Sequence, residues 1–275
     1  MYPHFLGIGA PRAGTSWLDQ NLRRHPRIWM PPVKAVRYFK ETSRRPIMTQ
    51  LVGRSSTHAR WRERVPRLLF RPGGHGGWVA RFLFRPRTDR WYASLFTPGP
   101  DQLAGEITPA YGRLSEATIE RIRILMPEVK LIYLLRHPID RLWSEAALSV
   151  EKSGRARDVA AMCRAVRDKE NVHRNSAYLD NIERWEACFS SKQLFVGFFD
   201  ELEQAPVDLL RRLYRFLGLP VSGLDLAHEK RNARTYPDLP RELRAELNER
   251  YGPSIERLHR RFDNPFTRSW LESVG

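Results

Sequence analysis

The sequence predicts an α/β fold in which a central parallel sheet is flanked by helices in three layers. Three observations carry that expectation. Short apolar runs alternate with amphipathic helical stretches rather than with tight turns, so successive strands must be joined by crossovers. The first run ends in a glycine-bounded turn that opens a helix, the junction at which open sheets bind anions. The chain of 275 residues is long enough to bury one ample core. We expect a single domain over 1–275 with an insertion or lid at about 43–90.

Each element follows from its own pattern. HFLGIGA is a short buried strand, and TSWLDQNLRRH continues as a helix whose Trp17, Leu18 and Leu22 recur at helical spacing until Pro26 closes it. PPVKAVRYF reads as an extended segment, a strand or sheet edge, because its two prolines forbid a helix. AGEITPAY is a strand ending at Pro109, followed by a helix in SEATIERIRILMP. VKLIYLL is the strongest strand, and RHPIDRLWSEAALSV follows as a helix with Pro138 in its first turn. SAYLDNIERWEACF is helical, QLFVGFF is a further strand, and PVDLLRRLYRFLGL is a helix stopped by Gly218.

Between Arg54 and Arg90 the composition changes. Ten arginines face Glu63 and Asp89 alone, with Trp61, Phe70, Trp78, Phe82 and Phe84 interleaved. The segment reads as two short amphipathic pieces, either a substrate cap or a basic helix pair anchored by its aromatics. It supplies half of the chain's formal charge of +16, a charge that favours anionic partners. Apolar runs are too short for a membrane span, and we expect no export signal ahead of the first strand. Cys163 and Cys188 show no framework spacing, which fits a reducing cytoplasm, buried thiols and no structural zinc.

Two motifs carry chemistry. GAPRAGTS, from Gly9 to Ser16, has the spacing of a P-loop-like turn but places Thr15 where an ATPase or GTPase carries lysine, and holds Arg12 inside the loop. Its amides and the helix start form an anion site. In RHPIDRLWS, Arg136 stands at the carboxyl end of the strongest strand and Ser144 follows eight residues later, so the two can grip one phosphate.

Together these motifs resemble the two cosubstrate motifs of the sulfotransferases, enzymes that use 3′-phosphoadenosine 5′-phosphosulfate (PAPS). GAPRAGTSWL is similar to their 5′-phosphosulfate loop and RHPIDRLWS to their 3′-phosphate motif. GEITPAY, RWYASLF, FFDELEQAP with RFLGLP, and NARTYP resemble further segments of the heparan-sulfate-type and bacterial members, in the same order. The resemblance implies sulfuryl transfer to a hydroxyl, less readily an amine, releasing PAP and requiring no metal. It implies that Arg12 is the catalytic cation at the leaving oxygen, as the arginine of the tyrosylprotein branch is. Ala13, Gly14, Thr15, Ser16 and Trp17 then hold the 5′ end. Arg136 and Ser144 hold the 3′-phosphate, with Lys230, Arg231 and Arg234 closing over it.

One departure stands out. The glutamate that serves these relatives as general base aligns with Ala35 in KAVRYF. Glu106 in the GEITPAY strand is the preferred substitute, with a structural role, pairing a loop cation, equally open; Glu41 and His25 are further candidates. Lys34 and Arg37, expected on opposite faces of their segment, are candidates for binding an anionic acceptor such as a glycan, lipid or natural product. Two other readings remain. A P-loop phosphotransferase or kinase lacks its lysine and magnesium-holding acids here, and a basic nucleic-acid-binding protein has charge as its sole support.

Overall fold

The computed structural model describes residues 1–40, 44–51, 76–168, 170–221 and 236–274. Five parallel strands form one sheet: β1 (Phe5–Gly9), β2 (Ile28–Trp29), β3 (Leu103–Ile107), β4 (Lys130–Leu135) and β5 (Leu194–Phe198), in the order β2-β3-β1-β4-β5. β1 is therefore central, and the chain leaves it toward β2 and β3 on one side before crossing to β4 and β5 on the other. That reversal leaves a crevice at the carboxyl ends of β1 and β4, where an open α/β sheet binds its ligand.

The helices around the sheet are α1 (Thr15–Arg24), α2 (Gly76–Phe84), α3 (Asp89–Ser94), α4 (Glu116–Leu125), α5 (Pro138–Lys152), α6 (Val159–Asp168), α7 (Glu170–Arg174), α8 (Tyr178–Glu186), α9 (Phe199–Gln204), α10 (Pro206–Leu217), α11 (Arg241–Phe262) and α12 (Pro265–Glu272). Every strand expected from an apolar run forms within a residue or two. α10 ends as its sequence predicts, with Gly218 in the left-handed region at φ 80°. Between β1 and its neighbours the glycines are steric requirements. A Cβ on Gly9 would lie 2.5 Å from the Tyr133 ring.

Two expectations are corrected. PPVKAVRYF is neither strand nor sheet edge; the edge strand falls earlier, at Ile28–Trp29. Ala35 and Arg37 adopt φ values of 63° and 61°, which no strand permits. The amides of this segment have other acceptors: Ala35 donates to the Ile107 carbonyl, Val36 to Glu106, Arg37 to Thr108 and Phe39 to the Tyr111 hydroxyl. Cys163 and Cys188 form no disulfide and are half-buried rather than buried.

Within the arginine-rich insertion, residues 52–75 lie outside the described residues. Its final part belongs to the core. Trp78 and Phe82 of α2 and Trp91 of α3 are buried and stacked on one another, and the Tyr38 and Tyr92 rings stack beside them. Asp89 is pinned from the body by the Tyr38 hydroxyl at 2.7 Å and by Arg121 of α4. Arg87, fully buried, donates to the Arg37 carbonyl at 3.4 Å and lies over the Trp91 ring. These contacts anchor this part of the insertion to the body.

Candidate active site

The loop after β1 is shaped by two left-handed residues, Arg12 at φ 69° and Gly14 at φ 80°. Glycine adopts that conformation freely, and at Gly14 a Cβ would also strike Leu202 at 2.5 Å. For Arg12 the same conformation costs about 1–2 kcal/mol. The Arg136 guanidinium offsets it by donating to the Arg12 carbonyl at 3.2 Å. α1 then begins with no side-chain cap and no acidic residue in its first turn, so its amide ends stay open to an anion.

Lys34 enters this loop from the irregular segment. Its ammonium donates to the Ser16 hydroxyl at 2.9 Å and the Thr15 hydroxyl at 3.3 Å. The lysine that the loop sequence lacks is thus supplied from eighteen residues beyond Ser16. Lys34 therefore sits against the loop after β1.

The second grip lies across the crevice. Arg136 follows β4 directly, and Tyr178 of α8 fixes its backbone by donating to the Arg136 carbonyl at 2.8 Å. The Arg136 guanidinium lies 4.5 Å over the Phe199 ring and donates to the Tyr236 hydroxyl at 3.1 Å. Ser144 is buried on α5, and Arg12 Nε donates to its hydroxyl at 3.0 Å. Arg12, itself part of the loop after β1, consequently meets the second grip twice, Arg136 through its carbonyl and Ser144 through its side chain. Tyr178 lies outside the motifs, whereas Phe199 falls in FFDELEQAP and Tyr236 in NARTYP, segments whose resemblance singles out neither ring.

Lys230, Arg231, Arg234 and Glu41 lie outside the described residues. Tyr236 and Pro237, which follow the late basic loop, do reach the second grip: the Pro237 carbonyl accepts from Trp143 at 2.7 Å. His25 sits beyond the far end of α1 from the loop, bonded to the Arg27 amide and the Pro220 carbonyl. That position removes it from the crevice.

Glu106 is 1% exposed and accepts from four protein donors: Tyr92 at 2.7 Å, Thr108 at 2.8 Å, Tyr111 at 3.0 Å and the Val36 amide at 3.2 Å. Burial raises its pKa, and the hydrogen bonds oppose that shift. Through Thr108 and Tyr111 it also reaches the Arg37 and Phe39 amides. The carboxylate is thereby the organising centre of the irregular 35–39 segment. Its partners are hydroxyls and an amide, not a loop cation.

The sequence model of the sulfotransferase family matches residues 3–223. This chain belongs to the sulfotransferase family. The fold agrees with that membership. A sulfotransferase from Alicyclobacillus acidocaldarius superposes with a TM-score of 0.68 at 23% identity, covering 98% of this chain and 99% of its own. The sulfotransferase domain of the Synechococcus PCC 7002 olefin synthase gives 0.56 at 18% identity, covering 90% and 94% respectively. No match was found among curated proteins. In this sulfotransferase no helix among the described residues is long and apolar enough to cross a membrane.

Proposed function

We propose that this sulfotransferase takes PAPS as donor and transfers its sulfuryl group to an acceptor hydroxyl, an amine being the second choice, in the cytoplasm. The observation that carries the reading is Arg12 joining two separate anion grips. An adenine nucleotide with a phosphosulfate at one end and a phosphate at the other matches that donor set, whereas ATP has nothing to offer the Arg136 and Ser144 side. The bound cosubstrate supplies the transferable group; the rest of the chemistry belongs to the chain. The α1 amides, Ala13, Gly14, Thr15, Ser16 and Trp17 form the cradle, and Lys34 adds a positive charge beside it. Arg12 stabilises the negative charge that grows on the leaving oxygen, an interaction strongest in the transition state.

Lys34 also argues against a kinase. A P-loop enzyme uses the hydroxyl at the Ser16 position to hold Mg²⁺. Here that oxygen already accepts from an ammonium at 2.9 Å, and two cations on one hydroxyl repel. Lys230, Arg231 and Arg234 are assigned to closing over the 3′-phosphate, a role favoured by Tyr236 lying against Arg136 immediately after them.

For the acceptor we assign an anionic compound met by Arg37. Burial and then the Arg113 and Arg37 guanidinium groups hold the Lys40 ammonium below its ordinary pKa, so three cations share one neighbourhood past the end of β3. Glu106 enters as a positioning residue for the segment that carries Lys34 and Arg37, with proton abstraction as its competing role.

A thermal-shift panel tests the reading: PAP should raise the Tm, and ATP with magnesium or an oligonucleotide should not. Stabilisation by ATP with magnesium alone would overturn it.

A further inference from the structure

The family match ends at residue 223, yet the chain beyond it returns to the second grip at several points. The Tyr236 hydroxyl accepts from Arg136, and the Pro237 carbonyl accepts from Trp143, the neighbour of Ser144. At the other end of the segment, α12 supplies Trp270, which is 2% exposed and donates its indole N–H to Asp200 at 3.1 Å. Asp200 directly follows Phe199, the ring beneath the Arg136 guanidinium. Ser273 meets His137, the residue after Arg136, at 3.1 Å. The Ser273 hydroxyl gives its proton to the Trp270 carbonyl at 2.7 Å, so His137 Nε2 is the donor in that pair. The His137 and Trp270 rings complete the contact edge to face, 5.8 Å apart at 85°.

We propose that the C-terminal segment 236–273 is a clasp that positions the 3′-phosphate subsite, with Trp270 as its principal positioning residue. The inference rests on the PAPS reading above. Arg136 projects from the end of a strand and must hold a guanidinium in one orientation to meet a phosphate with two parallel hydrogen bonds. Its backbone is set by Tyr178, but its side chain depends on the Phe199 ring and Tyr236. Trp270 locks the residue after Phe199, and Ser273 locks the residue after Arg136. Both neighbours of the grip are thus braced from α12 and the residue that caps it. Because a clasp that raises affinity must itself be stabilised by the ligand, binding and docking of α12 are reciprocal.

The test uses the full chain and two nucleotides that differ by the 3′-phosphate, PAP and adenosine 5′-monophosphate, titrated by calorimetry. Trp270→Phe keeps the ring and removes the indole donor, and Ser273→Ala removes the His137 contact. Each should weaken PAP by about two- to tenfold, the value of one hydrogen bond, and leave the monophosphate unchanged. Loss of both nucleotides alike, or of neither, overturns the clasp. Hydrogen exchange on the unaltered chain gives an answer independent of any variant's folding. PAP should slow the amides of 265–274 and the monophosphate should not; equal protection by both, or by neither, overturns the proposal. An unaltered chain that binds PAP no better than the monophosphate overturns the cosubstrate reading itself, and the clasp falls with it.

Discussion

The two ends of the crevice, which the proposed PAPS reading assigns to the 5′ and 3′ groups of the cosubstrate, are built by opposite means. The 5′ end is a contiguous turn, Gly9 to Ser16, in which backbone geometry and a helix start form the cradle, and Lys34 is the single described side chain brought to its hydroxyls from elsewhere. The 3′ end has no cradle of its own. It collects Arg136 from a strand end, Ser144 from α5, Phe199 from the start of α9 and Tyr236 from beyond the family-matched region. A turn can hold an anion with amides that cannot move, whereas side chains must be held in place by others. The 5′ end should therefore tolerate distant changes, and the 3′ end should register them.

The largest expected effect lies where the two ends meet. Arg12→Ala should lower kcat by about 10²–10³-fold, the scale for one preorganised donor at a developing charge, with a smaller loss in PAP affinity. Equal losses in binding and turnover would return Arg12 to a binding role. Arg136→Ala should show the reverse: PAP affinity falls by about 10–100-fold, as for loss of a charge-assisted bond, and calorimetry reads it directly. Lys34→Met separates the 5′ cradle from the acceptor. A loss of about tenfold in PAPS affinity, the scale of one such bond, is expected with little change in acceptor KM; a change confined to acceptor KM would put Lys34 back beside Arg37.

Glu106→Gln turns an acceptor toward four donors into a group that also donates, leaving a buried mismatch worth about 1–3 kcal/mol. The melting temperature should fall while the pH profile of kcat keeps its shape. A lost acidic limb with unchanged stability would make Glu106 the base after all.

The smallest effect is on pH. Burial lowers the pKa of His25, His137 and His173 from the ordinary 6.5. Their folded forms bind fewer protons than the unfolded chain, so the stability they contribute is present above about pH 6.5 and is lost as pH falls through the lower folded values. Glu106, whose pKa is raised above 4.5, acts oppositely: its contribution is present below that value and lost as pH rises through the folded pKa. Melts at pH 7.5 and 5.5 should show the histidine loss, and a flat profile would show that burial leaves those rings free to charge.

Much of this was legible from residue order. β1, β4 and β5 are single apolar runs whose burial no tertiary detail could reverse, and Gly14 and Gly218 announce their left-handed turns. The segment 31–39 was not. Its alternation resembles a strand, but its amides bond to Ile107, Glu106, Thr108 and Tyr111, acceptors about seventy residues away. Propensity is local and cannot see such partners. The same limit hid the position of Lys34 and the bracing by Trp270.

By itself the sequence determined the parallel sheet, the turn at Gly9 to Ser16 and the placement of Arg136 at a strand end with Ser144 on the helix that follows, because each rests on spacing within one element or across one junction. Which cation meets Thr15 and Ser16, which groups fill the Glu106 carboxylate and what steadies Arg136 were decided only when the chain closed on itself. Those are contacts between residues far apart in order, and their energy exists only after the entropy of closing long loops has been overcome by the whole core.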